Sequence, residues 1–355
     1  MTNVLGQQAG AVALRAAVDC HGHAVSDAYL RALRRYDAQD PGILRARRAF
    51  SDPTPARRAL IGRLADQDSL ARRLAAMDAA GVQLQVLSVA APYPWCSDPG
   101  WAAEFTRAWN DGAGAIAEAH PGRFAMFAMV PLPYVEAAIV ETARVMANRS
   151  MVGVSMTTHI QGVPIDDERW YPLYQQWDSL GLTVFLHPDG FCAKGVLDDH
   201  DMTFDLGPVF DDTIAAVRLY TSGILRDFPR IRWIVPHLGG TLPFLLGRLD
   251  RHWERDRSVK SLDHPPSEAA GELCFDTAGC DASAVRLGAE VLGTGRLLFG
   301  SDYPMVTGDD LAFGRGAMAG SGLEPADLER VLWSNAVTGV LPRLNQVLPG
   351  EVFRG

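Results

Sequence analysis

Short, nearly continuous apolar runs recur along the chain, and between most of them lie longer segments whose apolar residues return every three to four positions. Runs of the first kind read as buried strands and segments of the second kind as amphipathic helices. Strands are predicted at 16–20, 82–89, 124–130, 151–156, 182–186, 231–235, 272–276 and 297–299, each followed by a polar or Gly/Pro-rich turn. Helical periodicity covers 101–119, 135–148, 168–180, 211–228, 242–253, 282–292 and 325–340. Strands buried on both faces are a mark of parallel sheets covered by helices. Strand then helix, eight times over, predicts an α/β protein with a (β/α)8 TIM barrel. An open doubly wound sheet is the alternative, but no glycine-rich phosphate loop follows the first strand.

Length adds insertions to this picture. A barrel takes ~250 residues, which leaves about 100 of the 355 outside it. One insertion runs from about 24 to 70 and is rich in arginine (Arg31, Arg34, Arg35, Arg45, Arg47, Arg48); the other covers 189–208. Both follow strands and therefore fall on the C-terminal rim, where barrel enzymes build lids and specificity loops. No repeat, low-complexity tract or linker interrupts the pattern, so 1–355 is expected to be one domain.

Composition narrows the function classes. Hydrophobic residues make up 48 % of the chain, enough for a sizeable core. A net charge of -9 and a pI near 5.5 argue against nucleic acid or an anionic membrane as a partner, because both would be repelled. Five cysteines without a CxxC pair fit a reduced, cytoplasmic setting. Residues 1–18 lack the pattern of a secretory signal, and no run reaches the ~18 apolar residues of a membrane helix.

The candidate chemistry sits at the strand ends. The first strand leads into Val18-Asp19-Cys20-His21-Gly22-His23. Residues two apart on an extended segment share a side, so His21 and His23 can offer both imidazoles to one ion. The fifth strand ends at His187-Pro188, and the eighth leads into Gly300-Ser301-Asp302-Tyr303-Pro304. In a closed barrel these ends share one rim. His21, His23, His187 and Asp302 are thus expected to hold one divalent ion, zinc first and manganese as the alternative. His237, after the sixth strand, would overfill a four-ligand set and is assigned to proton transfer, with Asp302 assisting. The competing reading makes His237 a fifth ligand or a hydrogen-bonding prop. Trp95 could stack on a planar substrate or simply pack its loop. Asp19 and Asp276 are candidate acceptors that orient the ligands. His120, His159, His200, His252 and His264 receive no functional role.

With these residues in place, the chain resembles the amidohydrolase-related family typified by 2-amino-3-carboxymuconate-6-semialdehyde decarboxylase. The matching pieces are Asp19-Cys20-His21-Gly22-His23, Asn110-Asp111, His120-Pro121-Gly122-Arg123-Phe124, Pro131-Leu132-Pro133, His187-Pro188, His237-Leu238-Gly239-Gly240 through Arg248, and Phe299-Gly300-Ser301-Asp302-Tyr303-Pro304, in order along nearly the whole chain. The resemblance implies the same four ligands and the same acid/base histidine. It also implies that Arg248 grips a substrate carboxylate across a subunit interface, in a homodimer or higher homo-oligomer. The other reading of Arg248 is an ion pair within its helix, with Asp250 or Glu254. Many amidohydrolases bridge two metals with a carboxylated lysine on the fourth strand. Here that region reads Val154-Ser155-Met156-Thr157-Thr158, and Lys194 and Lys260 are the only lysines, so one metal is expected. The implied reaction is non-oxidative decarboxylation of a small unsaturated or aromatic carboxylic acid. The rival is a hydrolase (lactone, ester or amide) or hydratase of the same superfamily, and a non-catalytic ligand-binding barrel is the remote third reading.

Overall fold

In the computed structural model eight parallel strands follow one another in chain order: β1 (Ala17–Ala24), β2 (Val82–Val89), β3 (Phe124–Met129), β4 (Met151–Thr157), β5 (Thr183–His187), β6 (Arg232–Val235), β7 (Cys274–Asp276) and β8 (Leu297–Leu298). The structure describes residues 16–35, 40–43, 69–89, 93–189, 197, 202–255, 262–305 and 309–348. Past β8 the chain zips back onto β1. Cys20 N–H donates to the Phe299 carbonyl at 2.8 Å, Asp302 N–H to His21 at 2.9 Å, and His23 N–H to Tyr303 at 2.8 Å. These bonds close the barrel, so the ends of β1, β5, β6 and β8 share a rim.

The longer helices are α1 (Asp27–Arg35), α2 (Ser69–Ala80), α3 (Pro99–Ala119), α4 (Val135–Val145), α5 (Tyr171–Leu180), α6 (Gly207–Thr221), α7 (Leu242–Arg255), α8 (Ala282–Leu292), α9 (Asp310–Gly320) and α10 (Pro325–Glu329), which continues as a π-helix over Arg330–Val340. Local chemistry sets their ends. Asp98 accepts the Trp101 N–H at 2.9 Å ahead of Pro99, and Asp281 accepts that of Ala284 at 2.8 Å, so both act as N-caps. α5 stops at Gly181, whose φ of 60° is the left-handed conformation that a glycine adopts without strain.

Two apolar layers result. Val18, Cys20, Leu84, Val86, Phe127, Phe185 and Ile234 fill the barrel, closed below by Val337, Val340, Leu341 and Leu344 from the C-terminal segment. The second layer lies between strands and helices, where Trp109, Trp170, Trp177 and Trp233 are fully buried. No helix among the described residues is long and apolar enough to cross a membrane.

The structure departs from the sequence expectations in specific places. β1 runs through Ala24 and so includes both histidines. The 211–228 helix is α6 plus a separate turn, Ile224–Asp227, divided at Gly223 with φ 90°. α2 and α9 were not anticipated, and neither was α1, which lies in the first insertion. The rest of that insertion, apart from 40–43 and the start of α2, and most of the second lie outside the described residues.

Candidate metal centre

A bulge in β1 arranges the site. Between the pairs Asp19–Gln85 and Gly22–Leu87, β1 advances three residues while β2 advances two. The extra residue reverses the inward phase of the strand. Val18 and Cys20 point into the lower barrel with Phe185, and above them the His21 ring also meets Phe185, at 4.9 Å between centroids.

His21, His23, His187 and Asp302 converge as expected. Their four donor atoms lie within 4.8 Å of one another. His23 Nε2 is 3.1 Å from His21 Nε2 and 3.1 Å from His187 Nε2, and Asp302 Oδ1 is 3.0 Å from His23 Nε2 and 3.3 Å from His21 Nε2. The opposite ring nitrogens fix the tautomers. His21 Nδ1 is 2.9 Å from Asp276 Oδ2, His187 Nδ1 is 2.9 Å from the Pro188 carbonyl, and His23 Nδ1 is 3.0 Å from Ser88 Oγ. A carbonyl and an ionised carboxylate only accept, so those Nδ1 atoms carry hydrogens and the Nε2 atoms are the ones turned inward, available to an ion once free of any proton. Lone pairs this close repel one another unless a shared proton or a metal cation lies among them. Three imidazole nitrogens and a carboxylate form a donor set that fits one divalent first-row ion.

The electrostatics agree for two of the imidazoles. Burial, reinforced by the neighbouring histidines, pushes His187 well down, and burial also lowers His23. His21 goes the other way: burial alone would lower it, but Asp276 and Asp302 push it up to about 9. Burial opposes the ionised form of Asp302 also, and His21, His23 and His237 outweigh it to hold that carboxyl well below its ordinary range.

Asp276 and Asp19 brace the rim. Asp276 Oδ1 accepts the N–H groups of His237 and Ala278, each at 3.0 Å. Asp19 accepts the N–H groups of His21 at 3.1 Å and Ser301 at 3.0 Å, and the Gln85 side-chain amide at 2.7 Å, tying β1 to β2 and to the segment after β8. Burial dominates at Asp19 and pushes its carboxyl up to about 6.

His237 stands beside the cluster and outside it. Its Nε2 is 4.0 Å from Asp302 Oδ2, and its Nδ1 is 2.8 Å from Asp212 Oδ2. Burial would lower His237, but Asp212 and Asp302 together raise it well above its ordinary value. Burial pushes Asp212 up to about 7, with the hydrogen bond and charge of His237 opposing.

The remaining expectations divide. Trp95 is not an exposed rim aromatic: it is 2 % exposed, with its ring 4.9 Å from that of Tyr93, which in turn lies 6.4 Å from the His187 ring. Its Nε1 has no hydrogen-bond partner among the described residues. Arg248 is exposed on α7 and forms no ion pair among the described residues; Asp250 instead accepts the Ser267 N–H at 2.9 Å. His120 ends α3 and meets the edge of Phe124, with 6.0 Å between centroids. His159 Nδ1 accepts the Gly162 N–H at 3.2 Å, and its Nε2 is 3.5 Å from Asp211. His252 lies on α7, His264 is half-exposed and 3.9 Å from Glu272, and His200 lies outside the described residues.

Several buried residues at the site had no role in the sequence reading, two of them charged. One is Asp212. The other is Arg73 on α2, which donates to the Gln85 side chain and to the His23 carbonyl and lies 4.7 Å over the Tyr303 ring. Burial pulls the Arg73 guanidinium down to about 10. Neither sits in a recognisable motif, and only the packing of α2 and α6 brings them to the rim.

The fold and site define a barrel with one candidate centre for a divalent ion among the described residues. A family model described as amidohydrolase matches residues 18–338, and the chain belongs to that family. It is similar to the 6-methylsalicylic acid decarboxylase of Penicillium expansum, 31 % identical over 278 residues that cover 75 % of this chain and 84 % of that protein. A 2-amino-3-carboxymuconate-6-semialdehyde decarboxylase of Dictyostelium discoideum is 23 % identical over 231 residues, 64 % of each chain. The crystal structure of 5-carboxyvanillate decarboxylase from Sphingomonas paucimobilis matches with a TM-score of 0.81 at 26 % identity, covering 92 % of this chain and 99 % of that one.

Proposed function

We propose that this chain is a metal-dependent, non-oxidative decarboxylase of a small aromatic or unsaturated carboxylic acid. The observation that carries the reading is the placement of His237 Nε2, 4.0 Å from Asp302 and outside the four-donor cluster. This placement supports reading His237 as a proton carrier beside the ion site rather than as a ligand. All three reported relatives are decarboxylases, which supports loss of CO₂ over hydrolysis.

His21, His23, His187 and Asp302 would hold the ion, with zinc preferred on the donor set and manganese as the alternative. When bound, the ion supplies Lewis acidity toward a substrate oxygen. The rest falls to the chain. The bond between the ring or vinyl carbon and the carboxylate breaks, its electron pair stays on that carbon, and CO₂ leaves. His237 delivers the Nε2 proton to the same carbon and recovers it from solvent, with Asp302 beside it. Trp95, buried against Tyr93, would back the aromatic side of the site rather than stack on the acid directly. The substrate carboxylate would meet Arg248 of a second copy in a homodimer or higher homo-oligomer, where a planar guanidinium suits bidentate recognition. Residues 1–355 are read as one barrel domain, and the free buried cysteines Cys20, Cys96 and Cys274 suit the reducing cytoplasm.

The test is to incubate purified holoprotein with a panel of aromatic and muconate-like acids and lactones while following CO₂ separately from ring opening. The proposal expects one equivalent of CO₂ per acid consumed and no lactone cleavage. Water uptake without CO₂ would make the chain a hydrolase or hydratase, and no turnover of any compound would favour a non-catalytic barrel.

A further inference from the structure

The side chains of two consecutive residues of α6 hold the His237 turn, Thr213 binding main-chain groups of the turn and Asp212 the His237 ring. Thr213 Oγ1 accepts the Thr241 N–H at 2.8 Å and lies 3.1 Å from the Gly239 carbonyl. Gly240, at φ 65°, is pressed so closely on α6 that a Cβ there would come within 1.8 Å of the Val209 carbonyl oxygen. The hydrogen bonds therefore hold the turn against the helix, at a spacing that leaves no room for a side chain at position 240. Asp212, fully buried, places Oδ2 2.8 Å from His237 Nδ1.

Packing alone does not account for Asp212. A buried carboxylate is costly unless fully hydrogen-bonded, and Oδ1 of Asp212 has no partner among the described residues. An apolar side chain would fill the same interior at lower cost. What the carboxylate does supply is an acceptor for one ring nitrogen of His237. With Nδ1–H donated to Asp212, Nε2 is the nitrogen left to give and take a proton, and it is the one facing Asp302. The ring cannot turn over without abandoning that bond.

We propose that Asp212 is the positioning residue of His237, fixing the Nδ1–H tautomer and aiming Nε2 at the reacting carbon. The role rests on reading His237 as the proton carrier. It assigns to α6, a helix outside the barrel, control over the acid/base group on the rim. The same logic makes a buried aspartate essential to a catalytic histidine in serine proteases, where the asparagine variant keeps the geometry but holds the wrong tautomer.

Two measurements test it. In zinc-loaded wild-type protein with ¹⁵N-labelled histidine, the His237 signal, identified by its loss in His237→Asn, should show a protonated Nδ1. Asp212→Asn should keep its zinc and fold while that signal moves away from the Nδ1–H form. Its kcat should fall about 10²-fold or more with KM within about threefold, and Asp212→Glu should recover part of the loss. An unprotonated Nδ1 in the wild type would overturn the proposal without any variant. So would an Asp212→Asn protein whose tautomer and kcat match the wild type, or one whose activity falls only in step with zinc. The nuclear magnetic resonance readout needs no substrate, so it decides the role of Asp212 even if the panel of acids yields no CO₂.

Discussion

His237 and Asp302 face one another across 4.0 Å, and both hold left-handed backbones, at φ 51° and 60°, although neither is glycine. Such conformations cost on the order of 1–3 kcal/mol each and persist where the surroundings over-determine them. Here the surroundings are visible: Asp276 and Asp212 hold His237, and the His21 carbonyl holds the Asp302 N–H at 2.9 Å. On the proposed reading, the strain would hold both proton-handling groups over one reacting centre. His237→Ala should therefore keep most of its metal and lose roughly 10²-fold or more in turnover. Elemental analysis alongside kinetics separates the two effects. If metal and activity vanish together, His237 is a ligand.

The four-donor cluster predicts about one tightly held divalent ion per chain, and its electrostatics predict how that ion is taken up. Asp276 and Asp302 push His21 up to about 9, so at pH 7.5 the metal-free protein carries a proton on His21 that an incoming ion must displace. His23 and His187 are lowered and have no such proton to lose. Calorimetric metal titrations in buffers of different ionisation enthalpy should report release of about one proton per ion at pH 7.5, fading as the pH passes 9. Chelation should abolish activity and re-addition restore it. Two ions per chain, or uptake without proton release, would refute this account of the centre.

Much of this site was legible in the chain because barrel strands are buried on both faces and read as unbroken apolar runs. Once eight such runs are counted, His21, His23, His187 and Asp302 must share a rim, whatever their distance in sequence. The bulge in β1 was not legible. Alternation alone cannot tell that Val18, Cys20, His21 and His23 all point inward, because that depends on pairing with β2. Asp212 and Arg73 were missed for a related reason. Each sits on a helix as an ordinary charged residue, and only the docking of that helix turns it toward the centre. For Trp95 the sequence left stacking on a substrate and packing of its loop open, because only the fold shows that its indole is buried against Tyr93.

Asp40 offers a stability test outside the catalytic groups. Its Oδ1 accepts the N–H groups of Gly42 at 2.9 Å and Ile43 at 3.1 Å, and its Oδ2 accepts the N–H of Ser97 at 2.8 Å and its hydroxyl at 2.6 Å. Burial would raise this carboxyl, but the bonds from Ser97, Ile43 and Gly42 outweigh it and hold the group below its ordinary 3.8. An amide must turn an NH₂ toward two of those donors. Asp40→Asn should therefore cost about 1–3 kcal/mol at neutral pH. Because the folded carboxyl is depressed, its contribution is complete above the unfolded value and is lost as the pH falls through the folded one. Denaturant unfolding should show the gap between wild type and variant closing below about pH 4. A gap of constant size down to acid pH would mean that the ionised form is not what the four donors stabilise.

The last prediction concerns Arg248 and a second copy of the chain. Arg248 follows Phe244 by four residues on α7, so both lie on one face; Phe244 is 83 % exposed, and the guanidinium has no ion-pair partner among the described residues. Leu206, Phe210 and Ile214 repeat the same spacing at α6 and are 40 %, 39 % and 41 % exposed. An exposed aromatic on the same face as an arginine without an ion-pair partner among the described residues suits an interface better than open solvent, and the exposed side chains at α6 add further bare apolar surface. Phe244→Glu should shift the protein toward monomers in sedimentation velocity. Arg248→Ala should raise KM for a carboxylate substrate tenfold or more while leaving metal content unchanged, on the order of one charge-assisted contact. Mixing it with His237→Ala gives the sharper result. In a two-fold dimer whose sites each take His237 from one copy and Arg248 from the other, a mixed dimer regains one complete site. At substrate concentrations well below the wild-type KM, where Arg248→Ala alone keeps at most about a tenth of the activity, random exchange of equal amounts should then restore about a quarter of wild-type activity. Mixed dimers demonstrated by mass spectrometry but inactive would place Arg248 in its own subunit's site or in none, and the shared-site arrangement would be wrong.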